Sequence, residues 1–428
     1  MNIEKIYKLF NNCAGISTDT RKIKKGYIFF ALKGDNFNGN TFAYKAIENG
    51  ASYTIIDEIE YKKNDNYILV NDVLETLQSL ANYHRKQINI KILAITGTNG
   101  KTTTKELINA VLKEKYNIKS TAGNFNNHIG VPLTLLGFDK NLDYGIVEMG
   151  ANHPKEIELL CKIAEPDFGI ITNIGKAHIE GFGSFQGVID TKNELYDYLK
   201  SNSKTIFYNA ENEILSNLIG DYKNTIAFST KDNTKYYCQI TDVNPFVNVK
   251  FFNKQFVDIN TNLVGVYNLE NIAAACTIGA FLSLENTEIK IGLENYQPSN
   301  NRSQLTITDN NKIIVDAYNA NPTSMNGAID NFVEINANKK VLILGDMLEL
   351  GKISDQEHQN IIKKIDKLGF EEVFFIGEIF NQFKTDKFKF FNKTEDLSSY
   401  LEKEKIQNSF ILLKGSRGIK LETVLEFL

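Results

Sequence analysis

Four short apolar runs stand out along the chain, each closing on Gly, Asn or Asp before a polar loop: KILAITG (91–97), YGIVEMG (144–150), DFGIITNIG (167–175) and KVLILGD (340–346). Compact runs of this length without alternation predict strands buried on both faces, as in parallel sheets. Around them the pattern changes to the period of an amphipathic helix, in KTTTKELINAVLKEKY, HPKEIELLCKIA, NELYDYLKSN and DQEHQNIIKKIDKLG. Strand and helix in alternation predict an α/β protein with a mostly parallel sheet.

The beginning of the chain is patterned differently. ISTDTRKIKKGYIFFALKGDNFNGNTFAYKAIENGASYTIID predicts strand, turn and strand, then a helix ending at Gly50, which makes a small separate module. VLETLQSLANYHRKQ (73–87) follows as an amphipathic connector with Leu74, Leu77, Leu80 and Ala81 on one face. NYQPSNNRSQ (295–304), rich in Pro, Ser and Asn, reads as a hinge. These breaks predict three domains: a small α/β N-terminal module (1–84), a central P-loop ATPase-like parallel sheet (85–298) and a C-terminal Rossmann-like α/β domain (299–428). The 428 residues suit that division at about 150 residues per domain.

Composition narrows the class. With 42% hydrophobic and 23% charged residues the chain can build cores. No apolar run approaches the ~20 residues of a membrane span, and the N-terminus lacks a signal-peptide pattern, so the expected compartment is the cytoplasm. Cys13, Cys161, Cys238 and Cys276 are widely spaced without a C-x-x-C pair, which argues against a disulfide framework or zinc cluster. A net charge of −4 gives no global basic surface for nucleic acid.

The chemistry gathers at strand ends. TGTNGKTTT follows an apolar strand and opens a helix, the context of a phosphate-binding loop. It is shorter than the usual G-x-x-x-x-G-K-[ST], whose first glycine would fall on Ile95; Gly97 stands only three residues before Gly100. Backbone amides of such a loop converge on phosphate oxygens, with Lys101 neutralising them and Thr102 able to ligate Mg²⁺. Glu148 and His178 follow two further strands, so all three features converge on one crevice of an open parallel sheet. Carboxylate and imidazole are then candidate metal ligands, although Mg²⁺ prefers oxygen. Taken alone, His178 reads as a capping or core histidine, GNFNNHIGVP (123–132) as either a solvated turn or a polar contact loop, and Lys192 as a solvent-facing helix lysine.

In order along nearly the whole length, STDTR, GDNFNG, TGTNGKTTT, GNFNNHIGVP, EMGANHP, TNIGKAHIEGFGS, TKNEL, GVYNLENIAAA, DAYNANPTSM, LGDMLELG and LKGSRG resemble the motifs of the Mur ligases, ATP-dependent amide-forming enzymes of peptidoglycan precursor synthesis. YNANPTSM and GDMLELG resemble the branch that joins D-alanyl-D-alanine to UDP-N-acetylmuramoyl-tripeptide. The resemblance implies ATP on Gly97, Thr98, Asn99, Gly100, Lys101, Thr102 and Thr103, with Asn268 and Asn271 lining the adenine pocket. Arg302 would reach the phosphates from the hinge, Asp316 would bind the ribose, and Tyr318 and Asn319 would lie beside the nucleotide. The family usually has glycine before that arginine; here it is Asn301. Two Mg²⁺ ions are implied, on Thr102, Glu148 and His178 together with Lys192 carrying a CO₂-derived carbamate, and Lys101, Lys192 and His178 would be the catalytic residues. Ser17, Thr18, Asp19 and Arg21, the turn from Gly34 to Gly39, and Asn124, Asn126 and Asn127 would hold the UDP-linked substrate. LKGSRG and NANPTSM would meet other surfaces when the third domain closes. The expected protein is a monomer. Folylpolyglutamate synthetases share the loop and its chemistry but have no STDTR module, and a binding protein that closes on a wall precursor without turnover is the non-enzymatic alternative.

Overall fold

The computed structural model describes residues 2–175, 179–299 and 301–428. Among these, three large sheets follow one another along the chain. The first is four-stranded and all parallel, in the order Gly15–Ser17, Tyr27–Phe30, Tyr53–Ile56, Tyr67–Leu69. One of its faces is closed by Ala43 and Ala46 of the helix Ala43–Glu48. Its other face, with Ile28, Phe30, Ile55 and Ile68, has no core of its own. It merges with Leu77, Leu80 and Ala81 of the helix Val73–Ile88 and with Ile92, Val147 and Ile171 of the central sheet in one continuous hydrophobic cluster. The module thus shares a hydrophobic cluster with its neighbour, and the helix Val73–Ile88 runs unbroken through 84 and 85.

The reason lies in that helix. Asp72 caps it by accepting from Glu75 N at 2.7 Å, and its apolar stripe faces the shared core. At its far end Arg85 donates to Asp167 at 3.0 Å, a pair buried on both sides. An N-terminal helix, Ile3–Asn11, packs against it with Ile6 fully buried; its Ile3, Ile6, Tyr7 and Phe10 spacing is helical but fell outside the sequence reading.

The central sheet has nine strands, in the order Gln255–Val264, Phe246–Asn253, Tyr236–Asp242, Thr225–Ser229, Thr205–Asn209, Phe168–Ile171, Lys91–Thr96, Tyr144–Glu148, Ile118–Ser120. Seven are parallel, and the last-formed pair turns back antiparallel. That arm was not legible as strand, because its half-buried pattern lacks the compact apolar runs of the interior strands. From Lys91–Thr96 the chain departs to one edge through Ile118–Ser120 and Tyr144–Glu148, then to the other through Phe168–Ile171, which opens a crevice at the carboxyl ends.

The third sheet runs Gln304–Ile307, Asn311–Asp316, Ser409–Lys414, Lys340–Gly345, Glu372–Ile376, Lys389–Phe391, antiparallel only in its first pair. Cores fill both of its faces. The hinge lies between the helix Asn286–Asn295 and the strand Gln304–Ile307. Asn301 and Ser303 both have left-handed φ there, 56° and 49°. Asn is the non-glycine residue best suited to that conformation, so Asn301 can stand where the family pattern has glycine.

Candidate active site

The loop after Lys91–Thr96 is shaped by its two glycines. Gly97 has φ 146°, and a Cβ there would lie 2.0 Å from Thr172 Oγ1; Gly100 has φ 77°, and its Cβ would lie 2.5 Å from Asn271 Oδ1. Neither site can hold a side chain. Gly100 precedes the helix Lys101–Leu112 without a side-chain cap, which leaves the first helical amides open toward the crevice. Asn99 is held on both backbone faces: its N–H donates to Asn173 Oδ1 at 2.9 Å and its carbonyl accepts from Thr172 Oγ1 at 2.6 Å. Thr98 Oγ1 bonds Gly175 N at 2.9 Å. Thr172 and Asn173 were missed as loop supports, although their place directly after a central strand was the signal. Ile95 lies inside the strand and fully buried, so the shortened loop starts at its end.

Lys101 Nζ folds back over the loop, donating to Gly97 O at 2.8 Å and Thr98 O at 3.0 Å. Burial lowers its pKa, the neighbouring Glu148 carboxylate opposes that shift, and the Arg302 charge adds to it. Thr103 is half-buried on the same helix turn. Behind the loop Glu148 is 2% exposed. Its carboxylate accepts from Thr102 Oγ1 at 2.9 Å and from Asn126 Nδ2 at 2.8 Å. Among the described residues no cation lies within ion-pair distance of it. A buried anion satisfied by neutral groups beside a threonine hydroxyl is an oxygen-rich donor set that fits a hard divalent cation. Thr121 Oγ1 fixes the backbone by accepting from Glu148 N at 2.9 Å, and the fully buried Lys105 donates to Thr121 O at 2.6 Å.

Lys192 is not the solvent-facing lysine that its local sequence suggests. Ser184 caps a helix that starts earlier than expected, Phe185–Ser201, and this turns Lys192 inward until it is 3% exposed. Its Nζ lies 5.6 Å from the Phe182 ring centroid. Burial and the Lys101 charge lower its pKa to about 7, against the opposing pull of Glu156 and Glu194. His178 lies outside the described residues.

The third domain supplies the opposite wall. Asp316, at the carboxyl end of its strand, pairs with the buried Lys414 at 2.6 Å. The Arg302 guanidinium stacks on Tyr318 at 3.8 Å, with Arg417 5.4 Å from the same ring. Arg302 Nε is buried without a hydrogen-bond partner among the described residues. Asn319 Oδ1 accepts from Ala320 N at 2.9 Å. Tyr267, hydrogen-bonded to Ser303 at 2.9 Å, has its phenol pKa pushed up by burial and then by Asp316, which locates this wall next to Asn268. Asn268 and Asn271 are both buried and engaged: Asn271 donates to Asn268 Oδ1 at 2.9 Å and accepts from Thr104 Oγ1 at 3.0 Å. They brace the loop from below.

NANPTSM reaches the central domain through Asn321, which donates to Asn99 Oδ1 at 2.7 Å. LKGSRG packs within its own domain, where Ser416 Oγ accepts from Leu348 N at 3.0 Å. The N-terminal candidates form a self-contained turn: Ser17 Oγ accepts from Asp19 N at 3.0 Å, and Asp19 grips the exposed Arg21 at 2.8 Å, which holds its carboxyl down at about 2. Thr18 is half-buried in that turn. Of the asparagines in GNFNNHIGVP, Asn126 meets Glu148, Asn127 Oδ1 accepts from Ile129 N at 3.1 Å and Gly130 N at 2.8 Å, and Asn124 is exposed.

A phosphate-type loop at the carboxyl end of a parallel sheet, facing a third α/β domain and the hinge arginine, is the arrangement of a multidomain nucleotide-binding protein. Residues 12–94 match the catalytic domain of the Mur ligase family, 95–279 the Mur ligase middle domain and 301–417 the Mur ligase glutamate ligase domain. The UDP-N-acetylmuramoyl-tripeptide--D-alanyl-D-alanine ligase of Bacillus subtilis (strain 168) is 34% identical over 427 residues, covering 96% of this chain and 92% of that one. MurF from Acinetobacter baumannii has a TM-score of 0.88 at 26% identity, covering 99% of this chain and 98% of that one. MurF ligase from Thermotoga maritima, in complex with ADP, has a TM-score of 0.86 at 26% identity, covering 98% and 97%. The chain belongs to the Mur ligase family, and within it to the MurF type.

Proposed function

We propose that the three sheets divide the work of one ligase, with UDP-sugar on the first (1–84), ATP on the second (85–298) and the incoming dipeptide delivered by the third (299–428). The reaction adds D-alanyl-D-alanine to UDP-N-acetylmuramoyl-tripeptide at the expense of ATP, releasing ADP and phosphate. The tripeptide carboxylate attacks the γ-phosphate, and the dipeptide amine then displaces phosphate from the acyl phosphate.

The main obstacle is bringing two anions together, and the proposed residues answer it. Lys101 exchanges its loop carbonyls for phosphate oxygens, the open amides of Gly100 to Thr103 cradle the rest, and Arg302 approaches from the hinge. Thr102 and Glu148 would hold one Mg²⁺, which would draw charge off the phosphates; His178 is assigned to a second by resemblance alone. A lysine whose pKa is about 7 carries a substantial neutral fraction at neutral pH. Its Nζ lone pair can then add to CO₂ and lose a proton, turning Lys192 into a carbamate anion suited to the same ions. Asp316 is placed on the ribose, with Asn268, Asn271, Tyr318 and Asn319 around the base. Ser17, Thr18, Asp19 and Arg21 would hold the UDP-sugar, with Asn124, Asn126 and Asn127 as further substrate-binding residues. Closure of the third domain keeps water from the acyl phosphate. No described helix is long and apolar enough to cross a membrane, and the proposed place of reaction is the cytoplasm, where ATP is available, with the protein acting as a monomer.

The observation that carries this reading is the buried Glu148 carboxylate, bonded to the loop threonine. Phosphate release tests it, with ATP, Mg²⁺, UDP-tripeptide and D-alanyl-D-alanine. Lys101→Ala should lower kcat by about 10²–10³-fold, the scale of losing one transition-state charge contact. Wild-type turnover in that variant would overturn the assignment of the loop.

A further inference from the structure

The contact between Asn321 and Asn99 is more than packing, because both side chains have a single useful orientation. Asn321 opens the helix Pro322–Glu334, and its Oδ1 accepts from Ser324 N at 2.9 Å while Ser324 Oγ accepts from Asn321 N at 3.1 Å. That capping box faces Oδ1 toward the helix, so Nδ2 must point away, and it points at Asn99 Oδ1, 2.7 Å off. Ser, Thr or Asp would cap the helix equally well. Only Asn adds a donor on the other side of the same group. Asn99, for its part, has its backbone N–H and carbonyl engaged by Asn173 and Thr172, so its side chain is what the loop offers to the third domain. Beside it Gly175 packs between Thr98 and Thr323, each 3.5 Å from where a Cβ would stand.

We propose that Asn321 is a positioning residue that latches the third domain directly to the phosphate loop, so that closure and the alignment of the loop amides are one event. The inference rests on the reading of this loop as the ATP site. Asn321→Ser keeps the cap and removes the donor, since the serine side chain is too short to reach Asn99.

Phosphate release is measured with ATP varied for the wild type, Asn321→Ser, Asn99→Ala and the double variant, alongside melting temperature and solution scattering. Loss of one neutral hydrogen bond should lower kcat/KM for ATP about fivefold at unchanged melting temperature, with a larger radius of gyration. In the Asn99→Ala background Asn321→Ser should cost nothing further. Wild-type kcat/KM in Asn321→Ser, or losses that add in the double variant, would overturn the latch. Should the serine variant not fold, Asn321→Thr carries the same comparison. Lys101→Ala separates the two readings: if it stays active the ATP site is misplaced, and if it is inactive while Asn321→Ser is normal only the latch fails.

Discussion

Lys192 shows how far a residue's role depends on what folds around it. In sequence it is one lysine in a polar helix; in the structure it is buried, beside Lys101, with its pKa near 7. A free lysine titrates near 10.5, so between about pH 7 and 10.5 the unfolded chain holds a proton that the folded chain does not. This group therefore makes the protein more stable as pH rises through that window. Lys192→Met removes the slope: in bicarbonate-free buffer its melting temperature should exceed that of the wild type most at pH 7 and converge on it by pH 10. Activity should tell the complementary story, with the wild type stimulated by bicarbonate and the variant indifferent to it. The loop lysine, Glu148 and the hinge arginine were legible because each sits in a motif directly at a strand or domain end. Lys105 and Thr121 were not, because their partners lie 16 and 27 residues away in the chain; Asn321 was legible only as part of NANPTSM, since its partner Asn99 lies 222 residues away.

Among elements, the helix Val73–Ile88 does the work that holds two sheets together. Its apolar stripe was readable from Leu77, Leu80 and Ala81, but its destination was not, since an amphipathic pattern names a buried face without naming what buries it. The ion pair at its end settles that. Asp167 accepts from Arg85, from Lys91 at 3.2 Å, from Lys204 at 2.8 Å and from Ile92 N at 3.1 Å. Its own burial raises the carboxyl pKa, and the lysines and the backbone amide outweigh it to leave the net value lowered. A depressed carboxylate stabilises the fold above the ordinary carboxylate range, and that contribution disappears as pH falls below it. Asp167→Asn leaves Arg85 buried without its counter-charge and should cost about 3–5 kcal/mol in urea unfolding at neutral pH. The penalty should shrink toward acid pH. The antiparallel arm Phe246–Val264 has a different logic: its end places Val264, fully buried, in the core of the third domain, close to the hinge.

At the scale of the whole molecule the α/β class and the sequence of three sheets followed from strand and helix alternation, while the contacts between sheets did not. The hinge at 295–304 was visible as a composition break, and the structure gives it left-handed backbone at Asn301 and Ser303. The junction near residue 84 also looked like a break, yet one hydrophobic cluster runs across it. The two joints are thus unequal: a large cluster shared by two sheets crosses the first, while Val264 and the Asn321–Asn99 bond are among the contacts that cross the second. On the proposed division of labour, the sugar end of the substrate and the phosphate loop sit on the same rigid body, and their separation is a constant. The enzyme then gauges the length of the peptide between them as a caliper does, independently of the chemistry at either end. A UDP-linked dipeptide should bind with nearly the KM of the tripeptide but lose at least tenfold in kcat, because its carboxylate stops short of the γ-phosphate. Equal kcat for both lengths would mean that the fixed jaw yields after all.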